Sequence, residues 1–253
     1  MMKMTETVKQ LLIINVIFYI GSNYVGDVAY NLFSMYYPGN ENFRLWQPLT
    51  SMFMHAPVPN FTHILFNMFA LYSFGSALEH FWGAKKFIFF YISCGLGAAL
   101  LHTGVNYFQY HQALEVLQDA NIPKDVIASI LKEGKYSNEI SELVPISTLE
   151  QLYFSFNGTI LGASGAIYGL LTAFAFMFPN AELGIMFIPI PIKAKYFVPG
   201  ILAIDLFLGF KGSSLFGSGG TGIAHFAHIG GAITGFLMMW FWKKNSFNKN
   251  RWD

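Results

Sequence analysis

Six apolar runs divide this chain, and they constrain its fold more than any other feature of the sequence. They cover residues 9–25, 63–78, 87–108, 159–178, 196–210 and 223–242. Each is long enough, or nearly so, to cross about 30 Å of hydrocarbon, which takes ~20 helical residues. The first run ends among polar residues, and the fifth is short and contains Pro199 and Asp205. The pattern predicts an all-α polytopic membrane protein with six transmembrane helices.

The composition agrees with this prediction. Only 11% of the residues are charged and 54% are hydrophobic, whereas soluble domains carry roughly 25% charged residues. A net charge of +1 gives no indication of a nucleic-acid partner. The single Cys94 excludes an internal disulfide and a cysteine-based metal site. Residues 11–20 lack a convincing cleavage site, so we interpret them as a retained first span. With no organelle signal evident, we expect a bacterial inner (plasma) membrane protein.

The basic residues predict the orientation of the spans. Six spans with both termini in the cytoplasm place ten lysine and arginine residues inside and five outside, as the positive-inside rule requires. The inside residues are Lys3, Lys9, Lys85, Lys86, Lys193, Lys195, Lys243, Lys244, Lys249 and Arg251, and the outside residues are Arg44, Lys124, Lys132, Lys135 and Lys211.

Three connecting segments have distinct characters. Residues 36–61 are aromatic and rich in Pro and Asn, and predict an interfacial loop with Trp46 at headgroup depth. Residues 107–157 predict an extracytoplasmic polar insertion with two short amphipathic helices, broken at Pro123. Residues 183–192 are apolar but too short to span, and predict a tight connection at the membrane surface.

Two runs carry pairs of small residues at helical spacing. LGASGAIYGL contains Gly165 and Gly169, and AHFAHIGGAITG contains Gly231 and Gly235. Such small-xxx-small pairs allow two helix backbones to approach closely, because no side chains hold them apart. The spacing therefore predicts that these two helices pack through their glycine faces.

This packing would bring Ser164 and His228 together, because each lies beside one glycine pair. A membrane serine alone is most often a small interface residue, whereas an ionisable residue in a span is a candidate functional group. Gly162 and Gly165 would clear space beside the hydroxyl and leave backbone N–H groups open to an oxyanion. The imidazole would take the serine proton and return one to a leaving amine. His225 could compete, but we interpret it as a loop-end histidine.

His63 and Asn67 lie at i, i+4 on the second span. Their donors would suit a tetrahedral oxyanion, and the alternative is an interhelical polar clamp. No acidic residue is placed to complete a triad, and we expect Asp205 to make a structural polar contact. The H-x-x-H of the last span has no carboxylate nearby in sequence, so neither a metal site nor a cofactor is predicted.

Together these segments resemble the rhomboid family of intramembrane serine proteases. The resemblance lies in WQPLTSMFMH, HILFNMFALYSFGSALE, GASGAIYG and AHFAHIGGAITG, which occur in the family's order across the six-span core. It implies a Ser-His dyad with Ser164 as nucleophile and His228 as base. His63 and Asn67 match the family's oxyanion donors, alongside the Ser164 backbone N–H. Tyr168 matches the aromatic residue that packs on the catalytic imidazole.

The resemblance also implies a fold and a substrate class. The fold is one rhomboid-like membrane domain over residues 1–253, a six-helix bundle with a water-filled cavity open to the outside. Gly162 would help to shape its pocket, and the fifth span and residues 211–222 would form a gate and a cap. The substrates are single-span membrane proteins, cleaved within the lipid bilayer near small residues. The chain departs from the family at Gln47, where arginine is frequent, and in the length of its 107–157 segment.

Two other functions compete with proteolysis. A catalytically silent relative would bind membrane proteins without cleaving them, and loss of the serine or the histidine would mark it. A small channel or transporter would use His63, Asn67, His228 and Asp205 to line a polar path. The chain keeps both Ser164 and His228 and shows no inverted repeat, so the sequence favours the protease.

Overall fold

The computed structural model describes residues 3–185, 188–211 and 223–245. Its helices are α1 Glu6–Val25, α2 Asp27–Phe33, α3 Gln47–Thr50, α4 Thr62–Ala70, α5 Ser76–Trp82, α6 Ala84–Asp119, α7 Lys124–Glu133, α8 Asn138–Leu143, α9 Ile146–Asn157, α10 Ser164–Met177, α11 Ala194–Lys211 and α12 Ile223–Asn245. Its strands are β1 Glu182–Ile185 and β2 Ile188–Lys193.

Each predicted apolar run lies wholly or mainly in helices. Among the described residues, α1 and α6 are by themselves long and apolar enough to cross a membrane, and α10 is apolar but has 14 residues. The second run is one helical segment, in which a π-helical turn at Leu71–Gly75 joins α4 to α5. The fourth becomes helical only at Ser164, because Ile160 pairs with Met35 in an isolated β-bridge. The count of six spans stays a prediction.

Small residues bring α10 and α12 into backbone contact. A side chain on Gly231 would overlap the carbonyl group of Gly165, and one on Gly235 would begin 2.8 Å from the Gly169 carbonyl oxygen. A side chain on Gly169 would in turn meet the Cys94 thiol of α6. The two glycine faces therefore pack as the sequence predicts, and α6 closes the third side of the contact. We call this contact the glycine seam.

The predicted insertion is helical and has its own core. The 36-residue α6 is about 54 Å long, which exceeds the ~30 Å of a hydrocarbon core. Helices α7 to α9 fold onto its C-terminal end. The core of this unit is aliphatic, and its buried members are Ala113, Leu117, Ile122, Ile127, Ile130, Val144, Leu149 and Leu152. The predicted break at Pro123 is correct. The first of the two predicted short helices is wrong, because that stretch continues the third span as far as Asp119.

A β-hairpin forms the connection between α10 and α11. Strands β1 and β2 are antiparallel, and Glu182 pairs with Lys193 and Leu183 with Ile192. The sequence predicts a tight connection here but not the strands. Prolines lack a backbone donor and are tolerated at strand edges, and each strand of a two-stranded sheet has an open edge. The hairpin adds a small sheet to a mostly helical chain.

Basic side chains cover aromatic rings where the predicted cytoplasmic ends of the helices meet. The Lys86 ammonium lies 4.1 Å from the centre of the Trp242 ring and 5.6 Å from that of Trp82. The Lys243 ammonium lies 5.4 Å from the centre of the Phe176 ring. Aromatic rings with cations are typical of membrane–water interfaces, so these contacts suit an interface at this end of the bundle, and the orientation of the spans stays a prediction.

Candidate active site

Ser164 is the first residue of α10, and a fixed loop places it there. The Gly162 N–H donates to the Ser51 carbonyl at 2.9 Å, and Met35 and Ile160 exchange two backbone hydrogen bonds of 3.0 and 3.1 Å. Gly162 has φ +123°, which L side chains rarely adopt. The first N–H groups of a helix have no partner within it and form the positive end of its dipole. The serine hydroxyl therefore lies beside donors that suit an anion.

His228 of α12 meets this hydroxyl across the glycine seam. The distance from His228 Nε2 to Ser164 Oγ is 2.9 Å. The imidazole stacks on the Tyr168 ring, with centroids 4.2 Å apart and an interplanar angle of 8°. Tyr168 lies four residues after Ser164 and so on the same face of α10. The ring stack holds the imidazole, and the hydrogen bond has the length that proton transfer from serine to histidine requires.

Asp205 of α11 lies on the far side of His228, where the sequence predicts no acidic residue. Its Oδ1 is 3.3 Å from His228 Nδ1, and it is also hydrogen-bonded to His225 Nδ1. The expectation that no carboxylate is placed to complete a triad is therefore wrong. It failed because 23 residues separate Asp205 from His228, and only the packing of α11 on α12 brings them together.

His225 is not the loop-end residue expected from the sequence. It belongs to α12, it is buried, and its ring lies at right angles to that of His228 with centroids 6.2 Å apart. The partner that the structure gives to Ser164 is His228. His225 instead shares the Asp205 carboxylate.

The same three side chains have the donor atoms of a cation site. One ligand atom from each of Asp205, His225 and His228 lies within 4.8 Å of the others. Two imidazoles and a carboxylate are a ligand set that zinc accepts. The sequence argument against a metal, which relied on the lack of a nearby carboxylate, does not hold in three dimensions. A metal bound there would occupy the His228 nitrogen opposite the one that faces Ser164.

His63 of α4 has a defined tautomer. The Ala56 N–H donates to His63 Nδ1 at 3.0 Å, so in the neutral ring the proton is on Nε2. A Cβ on Gly162 would lie 3.0 Å from this Nε2 and 3.6 Å from Ser164 Oγ. The Nε2–H therefore lies on the Ser164 side of the Gly162 loop. A donor in this place can stabilise negative charge that develops next to the serine.

Asn67 lies one helical turn beyond His63 and is buried. Its Nδ2 donates to the His63 carbonyl at 2.7 Å, which holds the side chain along its own helix. The amide nitrogen carries two hydrogens, so this bond leaves the second one available to another acceptor. Its Oδ1 has no hydrogen-bond partner among the described residues.

His55 is a site neighbour that the sequence analysis did not single out. It is fully buried, with its ring 5.3 Å from that of His63 and its Nδ1 3.2 Å from the Phe53 carbonyl. Burial, together with the nearby His63, lowers the pKa of His55 to about 3. A neutral His55 therefore supports the loop before α4. The one sign of this role in the sequence is that His55 is the last residue of the WQPLTSMFMH motif.

Gln47 anchors the interfacial loop at the position where the family often has arginine. It is fully buried. Its Oε1 accepts from the backbone N–H of Arg44 at 3.1 Å and of Tyr36 at 3.3 Å, and its Nε2 donates to the carbonyls of Asn31 and Asn42 at 3.1 and 3.0 Å. One amide thus satisfies four backbone groups, and the loop stays fixed without the arginine.

The gate and cap implied by the resemblance are only partly described. The fifth run forms α11, and α11 supplies Asp205. The cap at 211–222 lies, after its first residue, outside the described residues.

Comparison with known proteins agrees with the motifs. The Rhomboid domain family model matches residues 42–113 and 142–245, which is more than half of the chain. Residues 114–141, which separate the two matched segments, fall in the helical insertion. They include α7, so this helix is an addition to the family's common core.

Curated relatives come from fungi and a bacterium. An uncharacterized mitochondrial rhomboid protein of Schizosaccharomyces pombe is 28% identical over 80% of this chain and 53% of its own length. Rhomboid protein 1, mitochondrial, of Saccharomyces cerevisiae is 24% identical over 77% of this chain and 41% of its own. Rhomboid protease AarA of Providencia stuartii is 29% identical over 76% of this chain and 54% of its own.

The chain spans about half the length of these relatives. Two of them are named mitochondrial, so the expected bacterial plasma membrane is not supported. The family match covers the segments that carry Ser164, His228, His63 and Asn67. The chain belongs to the rhomboid family and is an integral membrane protein.

Proposed function

We propose that this chain is an intramembrane serine endopeptidase that cleaves the transmembrane segments of single-span membrane proteins. The observation that carries the proposal is the 2.9 Å contact between Ser164 Oγ and His228 Nε2 at the start of α10. Membership of the rhomboid family supports it, as does the likeness to a relative named a rhomboid protease.

The reaction begins with attack by Ser164 on a peptide carbonyl carbon. His228 Nε2 takes the hydroxyl proton as the C–O bond forms. Negative charge develops on the carbonyl oxygen, where the donors are the His63 Nε2–H, the Asn67 amide and the Ser164 backbone N–H. The imidazolium then gives its proton to the leaving amine as the C–N bond breaks. Water attacks the acyl-enzyme with His228 again as base, which releases the acid product and restores Ser164.

The glycines are proposed to act as support for this pair. Gly165 and Gly169 of α10 and Gly231 and Gly235 of α12 let the two backbones approach closely enough for the hydroxyl to reach the imidazole. Gly162 keeps the space beside His63 open, because a side chain there would begin 3.0 Å from its ring. These roles follow from close packing and not from any chemistry of glycine.

The membrane arrangement is proposed as six spans with both termini in the cytoplasm, in one domain over residues 1–253. The 107–157 insertion would then lie outside, on the side from which Ser164 begins its helix. The apolar helices α1, α6 and α10 support this arrangement, as do the lysines over aromatic rings at the opposite ends.

Covalent labelling of the detergent-purified protein tests the proposed function. A fluorophosphonate should label Ser164 in the wild type, and both Ser164→Ala and His228→Ala should lose the label. A matched control is Ser155→Ala, which removes another buried hydroxyl and should label normally. In liposomes, a single-span reporter should be cleaved by the wild type and not by Ser164→Ala.

Two outcomes would overturn the proposal. Cleavage by Ser164→Ala at the wild-type rate would exclude Ser164 as the nucleophile. A folded wild-type protein that no serine-reactive reagent labels would instead be a catalytically silent member of the family. Thermal melting of each variant shows whether it is folded, because losing one hydroxyl should leave the melting temperature nearly unchanged.

A further inference from the structure

Asp205 is a buried acid that the proposed Ser-His reaction does not use. It lies in the middle of α11, a segment expected to cross the membrane, and 5% of its surface is exposed. A carboxylate in such a place is costly unless it is hydrogen-bonded, and it is retained where it serves a function. Among the described residues, the partners of Asp205 are His225, His228 and Tyr168, and all three lie in the site.

We propose that Asp205 is a positioning residue that orients His228 and fixes its tautomer for general-base catalysis. The inference rests on the proposed function and extends it from a dyad to a Ser-His-Asp arrangement. The carbonyl carbon is attacked by Ser164 and not by Asp205, which touches no reacting atom.

The two ring nitrogens of His228 face different partners, Ser164 at Nε2 and Asp205 at Nδ1. His228 Nε2 can accept the Ser164 proton only if the neutral ring carries its own proton on Nδ1. Asp205 Oδ1 lies 3.3 Å from Nδ1 and can accept only from a protonated nitrogen. The carboxylate therefore selects the tautomer that leaves Nε2 free, and its charge stabilises the imidazolium formed during attack. Asp205 and His228 can do this in the positions that they already occupy.

His225 offers a competing explanation for Asp205. Its Nδ1 is hydrogen-bonded to the same Oδ1 that faces His228. If Asp205 served only to satisfy His225, its loss would affect α11–α12 packing and not the base. The inference requires that the effect of Asp205 on Ser164 reactivity persists when His225 is replaced.

Among the described residues, Ser164, Tyr168 and His225 also face His228. Ser164 is hydrogen-bonded to Nε2, Tyr168 stacks on the ring from α10, and His225 lies one turn earlier on α12. None of these three side chains supplies a carboxylate, so replacing Asp205 removes the group among them that can accept a hydrogen bond from Nδ1–H and stabilise an imidazolium.

The test measures the rate of fluorophosphonate labelling at Ser164 at neutral pH. Asp205→Asn should lower this rate about 10²–10⁴-fold, the range that a general base contributes. Asp205→Glu should recover part of the rate, because it restores the charge. His225→Gln should retain most of the rate, and Asp205→Asn should still reduce it in the His225→Gln background.

Three results would overturn the inference. Asp205→Asn that labels at the wild-type rate would show that the carboxylate does not act on His228. Loss of the Asp205→Asn effect in the His225→Gln background would assign the carboxylate to His225. An unlabelled, folded wild type would overturn the proposed function itself, and with it this inference, so the two failures are distinguishable.

A second measurement does not depend on turnover. In the Ser164→Ala protein with ¹⁵N-labelled histidine, the His228 ring should carry its proton on Nδ1. Asp205→Ala in the same background should move the proton to Nε2 or mix the two tautomers. An unchanged Nδ1–H tautomer would contradict the proposed positioning. Because this spectrum also reports folding, an unfolded variant would not be mistaken for a positive result.

Discussion

Two regions of this chain hold helices together by different means. The glycine seam joins α10 and α12 through Gly165, Gly169, Gly231 and Gly235, where backbone meets backbone. The insertion joins α7 to α9 with the outer end of α6 through buried Leu, Ile and Val side chains. Lipid tails are as apolar as these side chains, so membrane helices associate through close packing, whereas helices in water associate by burying apolar surface.

The outer surfaces of the two regions differ in the same way. Large apolar side chains on the bundle helices face outward, and Ile17, Leu100 and Phe210 are 62%, 75% and 77% exposed. In the insertion, α7 turns Ile127 and Ile130 inward and carries charged residues on its other face. A surface like that of the bundle needs lipid around it, and one like that of α7 suits water. The comparison therefore separates a unit whose outer surface is apolar from a unit in which α7 has a charged outer face.

The largest effect should come from adding a methyl group at the seam. Gly231→Ala would place a Cβ on the Gly165 carbonyl group, a backbone contact that no rotamer change can relieve. The cost should exceed the ~1–3 kcal/mol of ordinary overpacking, so we expect loss of the folded, labelled protein. Thermal melting in detergent and fluorophosphonate labelling of Ser164 measure it.

Gly104→Ala provides the matched control for this change. Gly104 lies on α6, and a Cβ there has no atom within 4 Å. Alanine is favoured over glycine inside a helix by about 1 kcal/mol, so this variant should be as stable as the wild type or more so. A Gly231→Ala protein that melts and labels like the wild type would show that the seam is looser than its geometry indicates.

The seam was predictable from the sequence because its constraint is local and severe. Small residues spaced four apart on a helix form a face that favours close contact with another helix. The same pattern predicted that Ser164 lies opposite His228. The contact between Asp205 and His228 was not predictable. It depends on how α11 rotates and tilts against α12, and the spacing of residues along the sequence does not specify that. The end of α6 was missed for a related reason: its pattern changes from apolar to amphipathic without a helix break before Asp119.

A core substitution in the insertion should affect the labelling of Ser164 less than the seam variant does, and its effect on folding should be local. Leu149 is fully buried in that core, and Leu149→Ala should cost about 2–5 kcal/mol. We expect faster limited proteolysis in α7 to α9, with Ser164 still labelled. Leu143→Ala is the control, because Leu143 is 64% exposed. Loss of labelling in Leu149→Ala would show that the bundle and the insertion fold as one unit, so that the two regions could not be contrasted as separate units.

The last effect concerns pH and should belong to the bundle alone. His55 has an ordinary pKa of 6.5 when unfolded and about 3 in the fold. Between these values the unfolded chain binds the extra proton, so His55 leaves stability intact above pH 6.5 and lowers it as the pH falls. The slope is about 1.4 kcal/mol per pH unit. His55→Gln should remove this slope when unfolding is followed from pH 7 to pH 4. His111 is exposed on the insertion side of α6, and His111→Gln should leave the wild-type slope unchanged. If both variants keep the wild-type slope, acid sensitivity does not arise from His55, and the buried loop before α4 tolerates a charge.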